Sequence, residues 1–205
     1  MASQVEFVFI RHAQATHNVA ADSRGESAYS DPAFRDAVLT DEGHLQTARV
    51  RRERSSEFIG PTGVLTPSVI YCSPLHRCRQ TLLGILPFTV DMPVRLDDRL
   101  MEPQSHVCNH RIDYDELVAD CPTAWILEGV GSINPKNGGD SIVKRIRAWT
   151  HEILEKYPGQ RVLVISHYTW IQNWFRIFQR QLVTPTNCGI LTATLSVSPP
   201  ALKLD

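Results

Sequence analysis

Little in this sequence points to a membrane, an oxidising compartment or a polyanionic partner. No apolar run approaches the roughly 20 residues that a spanning helix needs. The N-terminal apolar segment has no basic region ahead of it and is cut short by Arg11, so it reads as a first strand and not as a secretory leader. Cysteine is sparse. The five are Cys72, Cys78, Cys108, Cys121 and Cys188, an odd number at irregular spacing. No disulfide framework follows from that, and a reducing, cytoplasmic setting is the simplest reading. Charge of either sign is not in excess: 21 Lys and Arg stand against 22 Asp and Glu, a net of −1. No electrostatic case for nucleic acid or an anionic membrane follows. The run Arg49, Arg51, Arg52, Arg54 is interspersed with Glu53 and Glu57, as on a solvated helix face. Repeats and low-complexity stretches are absent.

What is present describes an ordinary globular chain. Its 205 residues, 42% hydrophobic and 21% charged, suffice for one domain over 1–205 with a substantial core. Residues 5–10 read as a strand by their β-branched and aromatic content. Residues 19–38, polar and holding Gly25 and Pro32, read as a long loop with at most a helical turn. Thr40 before Asp41 and Glu42 is an N-cap pattern, opening a helix to about Phe58. Its weakly apolar face runs through Leu45, Ala48, Arg49, Arg52 and Ser56. Gly60-Pro61-Thr62-Gly63 ends it. Residues 68–72 form a second strand, and Pro74 opens a helix to about Leu86.

Residues 94–97 form a short strand. Residues 98–138 are irregular, with a short helix near 113–120, and would form an insertion at the pocket. Gly139-Asp140-Ser141 opens the clearest helix. Val143, Ile146, Trp149, Ile153, Leu154 and Tyr157 recur on one face, as core packing does. Arg161 to Ser166 contains the buried-strand run Val-Leu-Val-Ile. A helix to about Gln181 and a last strand, 190–197, complete the chain. Strands alternating with helices predict a three-layer α/β/α sandwich with a largely parallel central sheet.

The chemistry gathers where strands end. Ile10 is followed by Arg11-His12, and Ser166 by His167. The second strand delivers Ser73 through Thr81, with Arg77 in the first turn of a helix whose N-terminus favours anions. In open parallel sheets, ligands bind beyond the carboxyl ends of the strands. Two arginines, two histidines and a helix N-terminus at one edge describe a phosphate site.

These segments resemble the histidine phosphatase superfamily, with its phosphoglycerate mutase-like fold. Four motifs carry the resemblance, in order and over almost the whole chain: Arg11-His12-Ala13, Leu39 through Thr47, Ser73 through Thr81, and Ser166-His167-Tyr168. The resemblance implies a phosphate monoester hydrolase that needs neither metal nor other cofactor. His12 would be the nucleophile and become phosphorylated. Arg11, Arg77 and His167 would surround the transferring phosphoryl group. Asn18 would contact the phosphate, with His17 beside it in the pocket. Glu102, within Leu100-Met101-Glu102, would protonate the leaving alkoxide, with Asp97 and Asp98 as fallbacks. Cys108-Asn109-His110-Arg111 is similar to a stretch in a eukaryotic branch, and implies a further pocket cation at Arg111.

Two positions depart from the family pattern. Ala13 stands where the family has Gly, a small change. Tyr168 also replaces a Gly, and its side chain would line or crowd the pocket. His106, Cys108 and His110, spaced by one residue, have little room to converge on a metal. A phosphoglycerate mutase would carry a Gly-Trp loop after the nucleophile, and residues 19–38 show none. A phospho-ligand-binding module without activity need not keep both nucleophile and acid. The expected partner is a small phosphorylated compound, with a phosphoprotein among the candidates, and neither nucleic acid nor membrane.

Overall fold

The computed structural model describes residues 4–54, 56, 58, 67–91, 93–131 and 141–196. Six strands form one sheet: β1 (Gln4–Arg11), β2 (Val69–Cys72), β3 (Val94–Asp97), β4 (Ile126–Gly129), β5 (Arg161–Ser166) and β6 (Ile190–Ser196). Their order is β4-β3-β2-β5-β1-β6. All neighbours run parallel except the β1–β6 pair, which is antiparallel. Among the described residues, six α-helices accompany them: α1 (Thr16–Arg24), α2 (Asp41–Arg54), α3 (His76–Ile85), α4 (Tyr114–Asp120), α5 (Ile142–Lys156) and α6 (Tyr168–Phe178).

The period of two in a strand divides the core into two layers. Val8, Ile10, Leu163 and Ile165 face one side, where they meet Leu82, Ile85 and Leu86 of the α3 segment. Phe7, Phe9, Val162 and Val164 face the other, packed with Ile146, Trp149 and Ile153 of α5 and Trp170, Ile171 and Trp174 of α6. Apolar residues on both faces are what a parallel sheet covered on both sides requires. The three-layer α/β/α arrangement expected from the alternating pattern is the one observed.

Several expected elements hold with small shifts. Thr40 caps α2, its Oγ1 accepting from the Gly43 N–H at 3.0 Å. The helix ends at Arg54. The Gly60–Gly63 stop, residues 132–138 of the irregular segment and the Gly139-Asp140 opening lie outside the described residues. Ser141 is the N-cap position of α5.

Three expectations are corrected. Residues 19–38 are not a loop. They hold most of α1, then 3-10 turns at Glu26–Ser30 and Pro32–Phe34. No Ser, Thr or Asp precedes α1 to announce it; Asn18, inside the helix, reaches back to accept the Ala15 N–H at 3.0 Å. The buried side of α2 is not the Leu45 stripe, since Leu45 is 61% exposed. Gly43 and Thr47 are buried instead. A Cβ at position 43 would lie 2.1 Å from the Gln14 carbonyl oxygen, and one at Gly84 would lie 2.3 Å from Thr47 Oγ1. These contacts are built on small residues, which an apolar-periodicity search does not see. Finally, the 98–138 segment contains an edge strand, β4, parallel to β3. At four residues, two of them Glu128 and Gly129, it has no strand signature of its own.

Candidate active site

β2, β5 and β1 are adjacent in the sheet, so their carboxyl ends bring Ser73, His167 and His12 side by side. Arg11 is paired in register with Ser166, and the His12 N–H donates to the Ser166 carbonyl at 3.0 Å. The rings of His12 and His167 are 5.2 Å apart between centroids. Above them opens a cleft of about 440 Å³. Arg11, His12, His17, Asn18, Arg77, Glu102 and Tyr168 all line it. His167 is 1% exposed and sits behind His12, out of the cleft wall.

The protonation of His12 follows from its neighbours. Its Nδ1 lies 2.8 Å from the Ala13 carbonyl oxygen. A carbonyl only accepts, so the proton is on Nδ1 and the lone pair is on Nε2. Burial lowers the His12 pKa well below its ordinary value, and the Arg77 and Arg11 charges push it further the same way. His12 is therefore neutral at physiological pH, with an available ring nitrogen. The ring is 3% exposed, and its carbonyl accepts from Asn187 Nδ2 at 3.0 Å.

His167 is fixed by the same reasoning. Arg77 always donates, and its Nη2 lies 3.2 Å from His167 Nδ1. The proton is then on Nε2, which donates to Ser73 Oγ at 2.8 Å. Its pKa too is driven well below the ordinary value, by burial first and by Arg77 next.

Arg77 is 1% exposed. Nη1 donates to the Cys108 carbonyl at 2.8 Å and Nη2 to Asn109 Oδ1 at 2.9 Å. These bonds aim a planar cation across the site. Arg11 donates to the Pro185 carbonyl at 3.0 Å, and its guanidinium lies 5.3 Å from the centre of the Tyr168 ring. The residue that departs most from the family pattern thus stacks on one of the two cations. Its phenol oxygen accepts from Gln172 Nε2 at 3.2 Å.

Glu102 occupies the N-terminus of α6. Its two oxygens accept the N–H groups of Thr169 at 2.9 Å and Trp170 at 3.2 Å. Free N–H groups and the helix dipole make this a favourable place for a carboxylate. The turn ahead of it is held from α5, where Arg145 donates to the carbonyls of Arg99 at 3.1 Å and Met101 at 2.9 Å. Asp97 and Asp98, the fallback acids, are engaged elsewhere: Asp97 with Arg99 at 2.6 Å, Asp98 with Arg111 at 3.0 Å.

That second pair corrects the reading of Arg111. It does not line the cleft. Asp98, fully buried, needs a counter-charge, and Arg111 supplies it. Its neighbours in the same stretch, Cys108 and Asn109, are the ones that reach the site. His106, Cys108 and His110 diverge. His106 Nδ1 is 3.4 Å from Ser30 Oγ, and His110 Nε2 is 3.0 Å from the Gln104 carbonyl. Among the described residues, no group of three His, Cys, Asp or Glu could hold a metal ion.

His17 and Asn18 enter the cleft wall together, joined by a 3.2 Å contact between Asn18 Nδ2 and His17 Nε2. Because Nδ2 donates, Nε2 accepts and the His17 proton is on Nδ1. Burial, then Arg77 and Arg11, lower its pKa to about 2. Residues not singled out from sequence also contribute: Ser73, Asn109 and Arg145 as positioning groups, and Glu26 and Tyr29 at the mouth. Ser73 lies in the Ser73–Thr81 motif and Asn109 in the Cys108–Arg111 stretch; Arg145, Glu26 and Tyr29 carry no local signal.

A buried neutral histidine flanked by two arginines, beyond the carboxyl ends of a parallel sheet, defines an enzyme of phosphate-ester chemistry. Residues 7–198 match the histidine phosphatase superfamily (branch 1), and the chain belongs to that family. A 5''-phosphoribostamycin phosphatase of Niallia circulans is 29% identical over 177 residues, 82% of this chain and 75% of the relative. Two solved structures share the fold. A phosphoserine phosphatase of Entamoeba histolytica superposes with a TM-score of 0.59 at 19% identity, covering 95% of each chain. A phosphoglycerate mutase of Bacillus anthracis gives 0.61 at 14% identity, over 95% of this chain and 89% of its own. Family membership makes the chain a phosphoric monoester hydrolase by class. No helix among the described residues is long and apolar enough to cross a membrane.

Proposed function

We propose that the protein hydrolyses small phosphate monoesters through a phosphohistidine at His12. The observation that carries this reading is the His12 tautomer: the Nδ1–H is spent on the Ala13 carbonyl, leaving Nε2 unprotonated in the cleft. Nε2 attacks phosphorus while Arg11 and Arg77 compensate the charge on the equatorial oxygens. The bond to the ester oxygen breaks, and Glu102 gives that oxygen a proton. Glu102 then takes a proton from water, which attacks the phosphohistidine and releases phosphate. Both Glu102 oxygens accept N–H groups at rest, so one must turn away from α6 to carry the proton.

The mutase reading has no observation in its favour beyond the shared fold, and residues 19–38 fold as helical turns that line a cleft open at Glu26 and Tyr29. A purely binding module would not need both a deprotonated Nε2 and a carboxyl in the same cleft. The five cysteines are free thiols, four of them buried, which supports a reducing compartment such as the cytoplasm.

The test is turnover of p-nitrophenyl phosphate by wild type and His12→Ala, with a rapid quench in alkali to retain an acid-labile phosphoenzyme. The expected outcome is loss of turnover in the variant by about 10³ or more, and label on His12 in the wild type. Phosphate binding without turnover by the wild type would refute the enzyme reading.

A further inference from the structure

The cleft has two ends of different chemistry. At the inner end, Arg11 and Arg77 flank His12 and act on it electrostatically. Among the described residues that line the cleft, they are the only lysine or arginine side chains. Arg111 and Arg99, which flank the Glu102 segment in sequence, are turned onto Asp98, Asp97 and Glu152. At the mouth lie Glu26, Tyr29, Pro103 and His106. His17, Tyr29 and His106 form a continuous edge of rings, with centroids 5.8 and 5.6 Å apart. His17 adds no charge there, since its pKa is lowered to about 2.

The charged side chains on the described lining are two arginines, the Glu26 carboxylate and the proton donor Glu102, and they differ in depth: Arg77 is buried and Glu26 is exposed. One phosphate dianion fits between the arginines. A second phosphate at the far end of the same molecule would meet a carboxylate and a ring edge, with no lysine or arginine among the described lining residues there to replace its lost hydration. A flat leaving group finds a stacking partner in Tyr29. An ammonium on that leaving group finds both the Tyr29 face and the Glu26 carboxylate.

Resting on the hydrolase reading above, we infer that the cleft selects phosphate monoesters with a single phosphate and a ring-shaped leaving group that is neutral or positively charged, and rejects bisphosphates and polyphosphates. Glu26 and Tyr29 set that choice.

Three compounds with one ring and one shared ester bond test it: phenyl phosphate, 4-(aminomethyl)phenyl phosphate and benzene-1,4-diyl bisphosphate. Dissociation constants are measured by calorimetry on His12→Ala, so that selection is read without turnover. The aminomethyl compound should bind at least as tightly as phenyl phosphate, and the bisphosphate about tenfold more weakly, for a like charge a few ångströms away in a partly solvated cleft. Adding Glu26→Lys, on an exposed turn, should move the bisphosphate-to-phenyl ratio about tenfold toward the bisphosphate. Adding Tyr29→Ala should weaken phenyl phosphate about fivefold. A bisphosphate that binds more tightly than phenyl phosphate, or a ratio unmoved by Glu26→Lys, overturns the inference. If the wild type fails to turn over p-nitrophenyl phosphate while the binding order holds, the hydrolase reading fails and the selectivity stands. Turnover with a reversed order has the opposite meaning.

Discussion

Glu102 is held by the same N–H groups that would otherwise receive an anion at the start of α6. It serves two roles at once, and substitutions can separate them. Glu102→Gln keeps the shape and one acceptor but has no acidic proton. Glu102→Ala leaves two helix N–H groups without their partner. Both should lose about 10²–10⁴ in kcat on an alkyl phosphate, whose leaving oxygen needs a proton, and far less on p-nitrophenyl phosphate, whose leaving group does not. Only the Ala variant should also lose about 1 kcal/mol of stability, as a lost helix cap does. Parallel kinetics on the two esters and urea unfolding of the two variants provide the check. Equal losses on both esters would remove Glu102 from the acid role. The position was readable in advance from Leu100-Met101-Glu102, but its attachment to α6 was not, because 67 residues separate the partners.

At the level of elements, α2 and α3 approach each other through Gly84 and Thr47. A methyl added at Gly84 would sit 2.3 Å from Thr47 Oγ1 and 2.7 Å from its Cβ. Both belong to a side chain that is 2% exposed and bonded to the His44 carbonyl, so it cannot swing away freely. Gly84→Ala should cost about 1–3 kcal/mol despite improving helix propensity. Since α3 carries Arg77, the same variant should lower kcat through a displaced guanidinium. Chemical denaturation reads the first effect and aryl phosphate turnover the second. A stabilised Gly84→Ala protein would show that the helices part without penalty. The helices themselves were announced by Thr40, by Pro74 and by the Ile146–Trp149–Ile153 stripe. The close approach of α2 to α3 was not, because small residues leave no periodic mark. β4 escaped for a related reason: its four residues become a strand only by pairing with β3.

Across the whole molecule, three histidines are buried against two cations. His12, His17 and His167 all have folded pKa values below the ordinary 6.5, His17 at about 2. Unfolding frees them to bind protons. The unfolded chain therefore holds more protons than the folded one at any pH between the folded values and 6.5. Stability should be unaffected by these groups above pH 6.5 and should fall as the pH drops below it, by up to about 1.4 kcal/mol per pH unit for each histidine. His17→Gln should flatten that slope by about one histidine's share. Urea midpoints for both proteins between pH 7 and pH 4.5 measure it. Identical slopes would mean that His17 is as easily protonated in the folded state as in the unfolded chain.

The sequence by itself determined five of the six described strands, most of the helices and the kind of chemistry that gathers at the strand ends. Strand-end dipeptides and capping residues are local, and local patterns survive without a fold. Only tertiary structure decided which groups act together. Strand order set His12 beside His167 and Ser73. The burial of Asp98 claimed Arg111 for a structural pair and left Asn109 to orient Arg77. The turn after α1 brought Glu26 and Tyr29 to the cleft that Arg11 and Arg77 also line. Each of those outcomes depends on desolvation or on charge at a distance, which a linear chain does not define until its parts are packed.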